Sequence, residues 1–187
     1  MEQIKGYDDV EVIKGGSSTV LPKGGYQMII LGATLKDSSK GGKYLCFDMD
    51  IAEGEYKGFF DRLYAESTSE SKTWRCKFYL NVPDGSGTES DTFKTRLFKT
   101  FISNVEESNV GYTWNWKEDT LVGKKVGGLF VGNEYMAKDG QIRNGTILTK
   151  TCPLQDIIDG TFKLPKDKVL SSSNGFVEVS KAELPFS

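Results

Sequence analysis

The chain has 187 residues, of which 37% are hydrophobic and 12% aromatic, enough for one packed domain with tails. Its 26 acidic and 24 basic residues give a formal net charge of -2, so a nucleic-acid-binding surface must be local. The absence of histidine excludes Ser-His-Asp triads and most catalytic zinc sites. The composition therefore favours a binding protein without cofactor over an enzyme.

The cysteines and the N-terminal residues indicate the cellular compartment in which the protein is expected. Cys46, Cys76 and Cys152 are far apart and form no CxxC pair, which excludes a zinc knuckle and favours reduced thiols. The first residues contain no apolar leader, and no run reaches the length needed to span a membrane. We therefore expect a soluble, cytoplasmic protein.

The chain divides into a polar arm at 1–22, a domain at 23–169 and a Ser-rich tail at 170–187. Hydrophobic runs and alternating patterns predict five strands. These strands lie at about 26–35, 44–51, 74–80, 125–135 and 146–152. In the second strand, Leu45, Phe47, Met49 and Ile51 share one face, and Tyr44, Cys46, Asp48 and Asp50 share the other. A further short extended piece is predicted to begin at Phe59.

One convincing helix is predicted between the third and fourth strands. Ser90 or Asp91 can cap it, and an apolar stripe continues to about 107. A short helical turn is predicted within 154–162. This order of elements predicts a mainly β protein with a five-stranded OB-fold barrel and one helix between its third and fourth strands. A split β-sandwich gives nearly the same order and remains open as an alternative.

In an OB-fold barrel, two loops flank the face that binds oligonucleotides, and both are cationic in this sequence. The first loop contributes Lys36, Lys40 and Lys43, and the second contributes Lys138 and Arg143. Between them, Arg75, Lys77 and Tyr79 point outward if Trp74, Cys76 and Phe78 face the core, and Tyr44 lies on the outer face of the second strand. Cations beside stacking rings are what binding of single-stranded nucleic acid requires.

Two further groups of residues have competing interpretations. Tyr112, Trp114 and Trp116 alternate after the helix, where Trp114 stacks on bases, fills space below the helix, or forms part of a sugar-binding platform. The acids Asp48, Asp50, Glu53 and Glu55 are too close in sequence for a nuclease Mg²⁺ site. We interpret these acids as a solvated strand face and turn.

The C-terminal tip is Glu183-Leu184-Pro185-Phe186, followed by Ser187. An acid, an aliphatic residue, proline and phenylalanine at the end of a polar segment can place a ring in an apolar pocket of a partner, with the ordering cost met on binding. The tip resembles the C-terminal tail of bacterial and phage single-stranded-DNA-binding proteins. This resemblance implies that residues 183–186 bind replication or recombination proteins.

The core resembles a family of phage and prophage proteins from Gram-positive bacteria regarded as OB-fold single-strand binders. The resemblance covers about 25–168. Its motifs are DIAEGEYKGFF at 50–60, VEESNVGYTWNW at 105–116, LVGKKVGG at 121–128 and Glu134-Tyr135.

This resemblance implies a non-enzymatic protein that coats single-stranded DNA during phage replication or recombination in the bacterial cytoplasm. Self-association is left open. The alternatives are a β-sandwich that binds carbohydrate or serves as a virion part, and an adaptor that binds only proteins.

Overall fold

The computed structural model describes residues 20–39, 41–137 and 139–170. The strands are β1 (Gly24–Asp37), β2 (Lys43–Ile51), β3 (Lys77–Val82), β4 (Lys125–Met136) and β5 (Ile142–Cys152). The α-helices are α1 (Phe59–Glu66), α2 (Glu89–Ser108) and α3 (Leu154–Asp159), with a 3-10 turn at Glu118–Leu121. The predicted mainly β class and the helix between the third and fourth strands are confirmed. The arm and the tail lie almost wholly outside the described residues.

The five strands pair antiparallel in one sheet, in the order β3-β2-β1-β4-β5. The described residues therefore do not form the two packed sheets that a β-sandwich requires. Cα atoms of the two outer strands, β3 and β5, come within 8 Å of each other at a few positions.

β1 is the central strand of the sheet and pairs with both β2 and β4. Its first part pairs with β4 from Gly24 to Ile29, and its second part pairs with β2 from Met28 to Asp37. A bulge at Leu31 adds one residue between the pairs made by Ile30 and Gly32. Because one extra residue reverses the alternation of side chains, Ile30 faces the core and Gly32 faces outward.

One side of the sheet forms the core against α2. Thr88 caps this helix by accepting a hydrogen bond from the Asp91 backbone N–H. The apolar stripe of α2 then packs mainly against β3 and β4, and the Phe101 ring stacks on Phe47 of β2 at a centroid distance of 4.7 Å. As predicted, Leu45, Phe47, Met49 and Ile51 are all buried.

The segment from Phe59 is helical, so the predicted extended piece is wrong. The Asp50 carboxylate, only 5% exposed, accepts hydrogen bonds from the backbone N–H groups of Phe60 and Asp61. These groups belong to the first turn of α1, which has no partners within the helix. Asp50 is therefore a buried helix cap, and its interpretation as a solvated residue is wrong.

The outward side of the sheet is divided into two parts. Over the first half of β1 and over β4 lie α3 and the residues that follow it. A Cβ atom on Gly25 would lie 2.7 Å from Ile157 and Phe162, and one on Gly127 would lie 2.7 Å from Ile157. These two glycines let the segment pack directly on the strands, and we call this region the covered half. The predicted helical turn within 154–162 is confirmed.

Several strand ends differ from the prediction. β1 continues to Asp37 and β5 begins at Ile142, so Lys36 and Arg143 lie in strands and not in loops. β3 begins at Lys77, which leaves Trp74 and Arg75 in the segment before it. Pairing with a neighbouring strand determines these ends, and the local sequence does not encode that pairing.

Candidate nucleic-acid interface

The outward residues of β1, β2 and β3 form a second region, which α3 and the described residues after it, up to Leu170, do not cover. Cross-strand pairs order it into three rows: Lys36–Tyr44–Asn81, Thr34–Cys46–Tyr79 and Gly32–Asp48–Lys77. Residues directly opposite each other share a face, and the intervening rows contain the core residues Phe47 and Leu80. We call these nine residues the open face.

Two tyrosine rings and a lysine lie together on the open face. Tyr44 and Tyr79 are diagonal neighbours whose ring centroids are 5.9 Å apart at an interplanar angle of 57°. Tyr79 is 59% exposed, and Lys36 lies directly opposite Tyr44. The structure thus places Lys36, Tyr44 and Tyr79 together on the outward side of the sheet, the side on which the sequence predicted Tyr44 and Tyr79.

Lys77 is also on this face, in an ion pair with Asp48. The hydrogen bond from its ammonium to the Asp48 carboxylate raises the pKa of Lys77 against the opposing effect of desolvation. Lys77 is therefore charged at neutral pH, and Asp48 compensates part of that charge.

The open face ends in a groove of about 480 Å³. It is lined by Leu31, Gly32, Asp48, Tyr64, Lys72, Thr73, Trp74 and Lys77. The indole N–H of Trp74 donates to the Met49 carbonyl oxygen at 2.9 Å, which fixes the ring. Tyr64, on α1, lies 5.7 Å from Trp74, and the Lys72 ammonium lies 5.7 Å from the Tyr64 ring centroid. We call this site the Trp74 groove.

Sequence reasoning missed this groove. It placed Trp74 against the core, where the ring is indeed partly buried, but it did not show that the ring also lines a groove. It also predicted that the start of the helix that carries Tyr64 is extended. The close spacing of Lys72 and Trp74, just before a strand with cationic residues, was the one local indication of a binding site here. Nothing local, however, shows that α1 brings Tyr64 to them.

Other predicted residues lie around the open face. Arg75 is exposed in the segment beside Trp74. Lys43 is the first residue of β2, opposite Val82 and Asp37, and therefore alternates away from Tyr44. Lys40 and Lys138, like the tip Glu183, Leu184, Pro185 and Phe186, lie outside the described residues.

Arg143 is in the β4–β5 hairpin, opposite Tyr135, and forms an ion pair with Asp139 at 2.6 Å. The pairing of β4 with β1 ends at Phe130, five residues before Tyr135, or about 17 Å along the strand. The two hairpins therefore lie at opposite ends of β1, and Arg143 is remote from Tyr44 along the sheet.

Trp114 lies on the other side of the molecule, against α2. Its ring is half-buried and 6.5 Å from Phe98, and Trp116, 79% exposed, stacks on Phe98 at 6.4 Å. Both tryptophans line a cavity of about 540 Å³ beside the helix, and their segment is irregular, not a strand. The structure therefore separates Trp114 from Tyr44 and Tyr79.

The clustered acids serve separate structural purposes. Asp48 pairs with Lys77, Asp50 caps α1, and Glu53 contacts Lys125 at 3.1 Å and Lys57 at 3.6 Å. The hydrogen bond from Lys125, with the charge of Lys57, lowers the pKa of Glu53. Among the described residues, no group of three or more His, Cys, Asp or Glu side chains is arranged to hold a metal ion. In the same part of the chain, no helix has the length and apolar character to cross a membrane.

A family model described as a protein of unknown function (DUF669) matches residues 7–83. No curated protein matches the chain. The matched segment includes β1, β2, α1 and β3, and with them the whole open face and the Trp74 groove, whereas α2, Trp114 and the β4–β5 hairpin lie beyond it. Over this segment the chain is similar to that family.

Proposed function

We propose that the chain is a non-enzymatic single-stranded-DNA-binding protein and that the open face holds the strand. The observation that carries this proposal is the Tyr44–Tyr79 ring pair on the uncovered part of the sheet, with Lys36 and Lys77 beside it. Rings that stack on bases contribute about 1–3 kcal/mol per base, and lysines that contact phosphates add a term independent of sequence.

We also propose that the sheet closes into an OB-fold barrel between β3 and β5. Two observations support this: the strand order, with β1 between β2 and β4, and the approach of β3 and β5 to within 8 Å. In OB folds, the oligonucleotide lies on the second and third strands. The open face is built largely from these two strands.

The bound strand runs from the ring pair along β3 toward the Trp74 groove. Lys36 and Arg75 contact its phosphates, and Lys72 does so at the groove. Of the other cations that the sequence predicted, Arg143 and Lys43 are left out of this track, because Arg143 lies beyond the opposite end of β1 and Lys43 alternates away from Tyr44. Lys40 and Lys138 lie outside the described residues. Trp114 is left out, since it packs on α2.

The biological setting is part of the proposal as well. Coating of single-stranded DNA in phage replication or recombination, in the cytoplasm of a bacterial host, is supported by the resemblance of the core to phage proteins. The tip at 183–186 recruits protein partners, which is supported by its sequence of acid, leucine, proline and phenylalanine.

The test is a titration with fluorescent oligo-dT at two salt concentrations. If three phosphates are neutralised, a fourfold rise in salt weakens binding about 20-fold, because the slope for single strands is about -0.7 per phosphate. A duplex of the same length is the control, and we expect it to bind more weakly since its bases are not available for stacking. Affinity that hardly changes with salt, or equal affinity for duplex, contradicts the proposal.

A further inference from the structure

The Trp74 groove, at the end of the open face, has aromatic walls and a polar floor. Trp74 and Tyr64 supply the walls, and the hydrogen bond from the Trp74 indole to Met49 keeps that ring in place. The floor is the ion pair of Asp48 and Lys77. Its volume of about 480 Å³ lies within the range of small-molecule sites.

The floor offers a particular pattern of hydrogen-bonding groups. Lys77 bonds Oδ1 of Asp48, and Oδ2 faces Gly32, where even an added Cβ atom would lie 3.6 Å away. Both side chains remain partly exposed, at 40% for Asp48 and 29% for Lys77. A ligand that enters the groove beside the Trp74 ring therefore meets a carboxylate acceptor directly beside an ammonium donor.

We infer that the Trp74 groove binds a guanine base of the bound strand, an inference that rests on the proposed function. Guanine is the one DNA base whose Watson–Crick edge places two adjacent donors, N1–H and the N2 amine, next to an acceptor, O6. The donors match the two oxygens of Asp48, and O6 accepts from Lys77. The base plane stacks on Trp74, as bases do on aromatic side chains.

The other bases match this floor less well. Adenine and cytosine each present one donor beside a ring-nitrogen acceptor, and thymine places its single donor between two carbonyl oxygens. Each of them makes one hydrogen bond to the carboxylate and directs a lone pair at it or near it. Loss of a bidentate pair reduces discrimination between bases by about tenfold or more.

The experiment compares oligo-dT with oligonucleotides of the same length that carry one central dG, dA, dC or deoxyinosine, by fluorescence anisotropy at fixed salt. We expect the dG oligonucleotide to bind about tenfold more tightly than oligo-dT. Deoxyinosine retains N1–H and O6 but lacks the N2 amine, so it is expected to lose most of this gain. This comparison uses the unmodified protein and does not depend on the folding of a variant.

Two variants test whether the preference for dG depends on the Asp48 carboxylate in the floor of the groove. Asp48→Asn is expected to reduce the preference for dG over dT to about twofold or less, because an amide cannot accept both donors. Asp37→Asn removes a carboxylate at the end of β1 that does not line the groove, and it is expected to preserve the preference. Thermal unfolding checks that both variants are folded.

The outcomes separate this inference from the proposed function. Oligo-dT binding with no gain for dG over dA overturns the guanine site and leaves the proposed function standing. A dG preference that survives in Asp48→Asn or with deoxyinosine overturns the assigned contacts. If no oligonucleotide binds, both the proposed function and the guanine site fail.

Discussion

The covered half and the open face are two parts of the outward side of one sheet, and the chain treats them in opposite ways. On the covered half, Gly25 and Gly127 let Ile157 and Phe162 pack on the strands, and Leu129 is only 5% exposed. On the open face, the strands carry Tyr44 and Tyr79 with lysines beside them, and Tyr79 remains 59% exposed.

This difference indicates that the covered half contributes to stability and that the open face has room for a ligand. A segment after β5 returns to bury the covered half, so the chain has the means to cover a sheet face. Aromatic rings left exposed together, beside cations, are typical of binding surfaces. Substitutions on the covered half should therefore change the free energy of unfolding, and substitutions on the open face should change the affinity for DNA.

The largest expected effect is on binding, when both rings of the open face are removed. Tyr44→Ala with Tyr79→Ala is expected to weaken oligo-dT binding by about 30-fold or more, since each stacked ring contributes about 1–3 kcal/mol. Fluorescence anisotropy measures it. The matched control is Phe93→Ala, which removes an exposed ring from α2 and should leave the affinity unchanged. An equal loss of affinity in the double variant and in Phe93→Ala would show that the open face is not the binding surface.

The next effect is on stability and belongs to the covered half. Gly127→Ala places a Cβ atom 2.7 Å from the Cys152 sulfur and from Ile157, and 2.9 Å from the Cys152 backbone oxygen. We expect it to lower the free energy of unfolding by about 1–3 kcal/mol, as overpacking does. Urea unfolding measures this free energy. Gly32→Ala on the open face is the control and should change it little, since its Cβ atom makes only ordinary contacts with Asp48.

A smaller effect is expected from one cation of the open face. Lys36→Gln removes a phosphate contact and should reduce the slope of log affinity against log salt by about 0.7. Binding isotherms at four or more salt concentrations give the slope. Lys99→Gln, an exposed lysine on α2, should leave the slope as it is in the parent protein. A slope unchanged by Lys36→Gln would mean that this lysine does not contact a phosphate.

The smallest effect concerns the ion pair below the Trp74 groove. The hydrogen bond to Asp48 raises the pKa of Lys77 above its ordinary value of 10.5. The folded protein thus holds this proton more tightly than the unfolded chain, and the added stability is present below pH 10.5 and is lost as the pH rises through the folded-state pKa.

The corresponding measurement is the difference in urea unfolding between the parent protein and Lys77→Gln at pH 8 and at pH 11. We expect a small difference at pH 8 that shrinks at pH 11. In an Asp48→Asn background the pH-dependent part should disappear, because the partner that raises the pKa is gone. A difference that grows with pH would contradict the assigned contact.

The sequence predicted the open face better than the rest of the molecule. Alternation along β2 placed Tyr44 opposite the buried Phe47 series, and the same rule placed Tyr79 outward, because a period of two is a local property of a strand. Only the pairing with β1 was missing, and it brought Lys36 beside Tyr44 from a position predicted to be in a loop.

The failures have a common physical origin in contacts between residues far apart in sequence. The first turn of α1 is held by Asp50, ten residues before Phe60, and no local propensity shows that bond. The covered half depends on Ile157 meeting Gly127, thirty residues earlier in the chain. The Trp74 groove likewise depends on α1, which brings Tyr64 to Trp74. None of these three features could therefore be predicted from a local pattern.

The most direct test of the open face as the DNA-binding surface uses the three tryptophans, because Trp74 lies at its end and Trp114 and Trp116 lie against α2. Oligo-dT is titrated into the parent protein, Trp74→Phe and Trp116→Phe while the intrinsic fluorescence is recorded. We predict that quenching is largely lost in Trp74→Phe and retained in Trp116→Phe. Quenching that persists in Trp74→Phe and is lost in Trp116→Phe would place the DNA beside α2 and contradict the account.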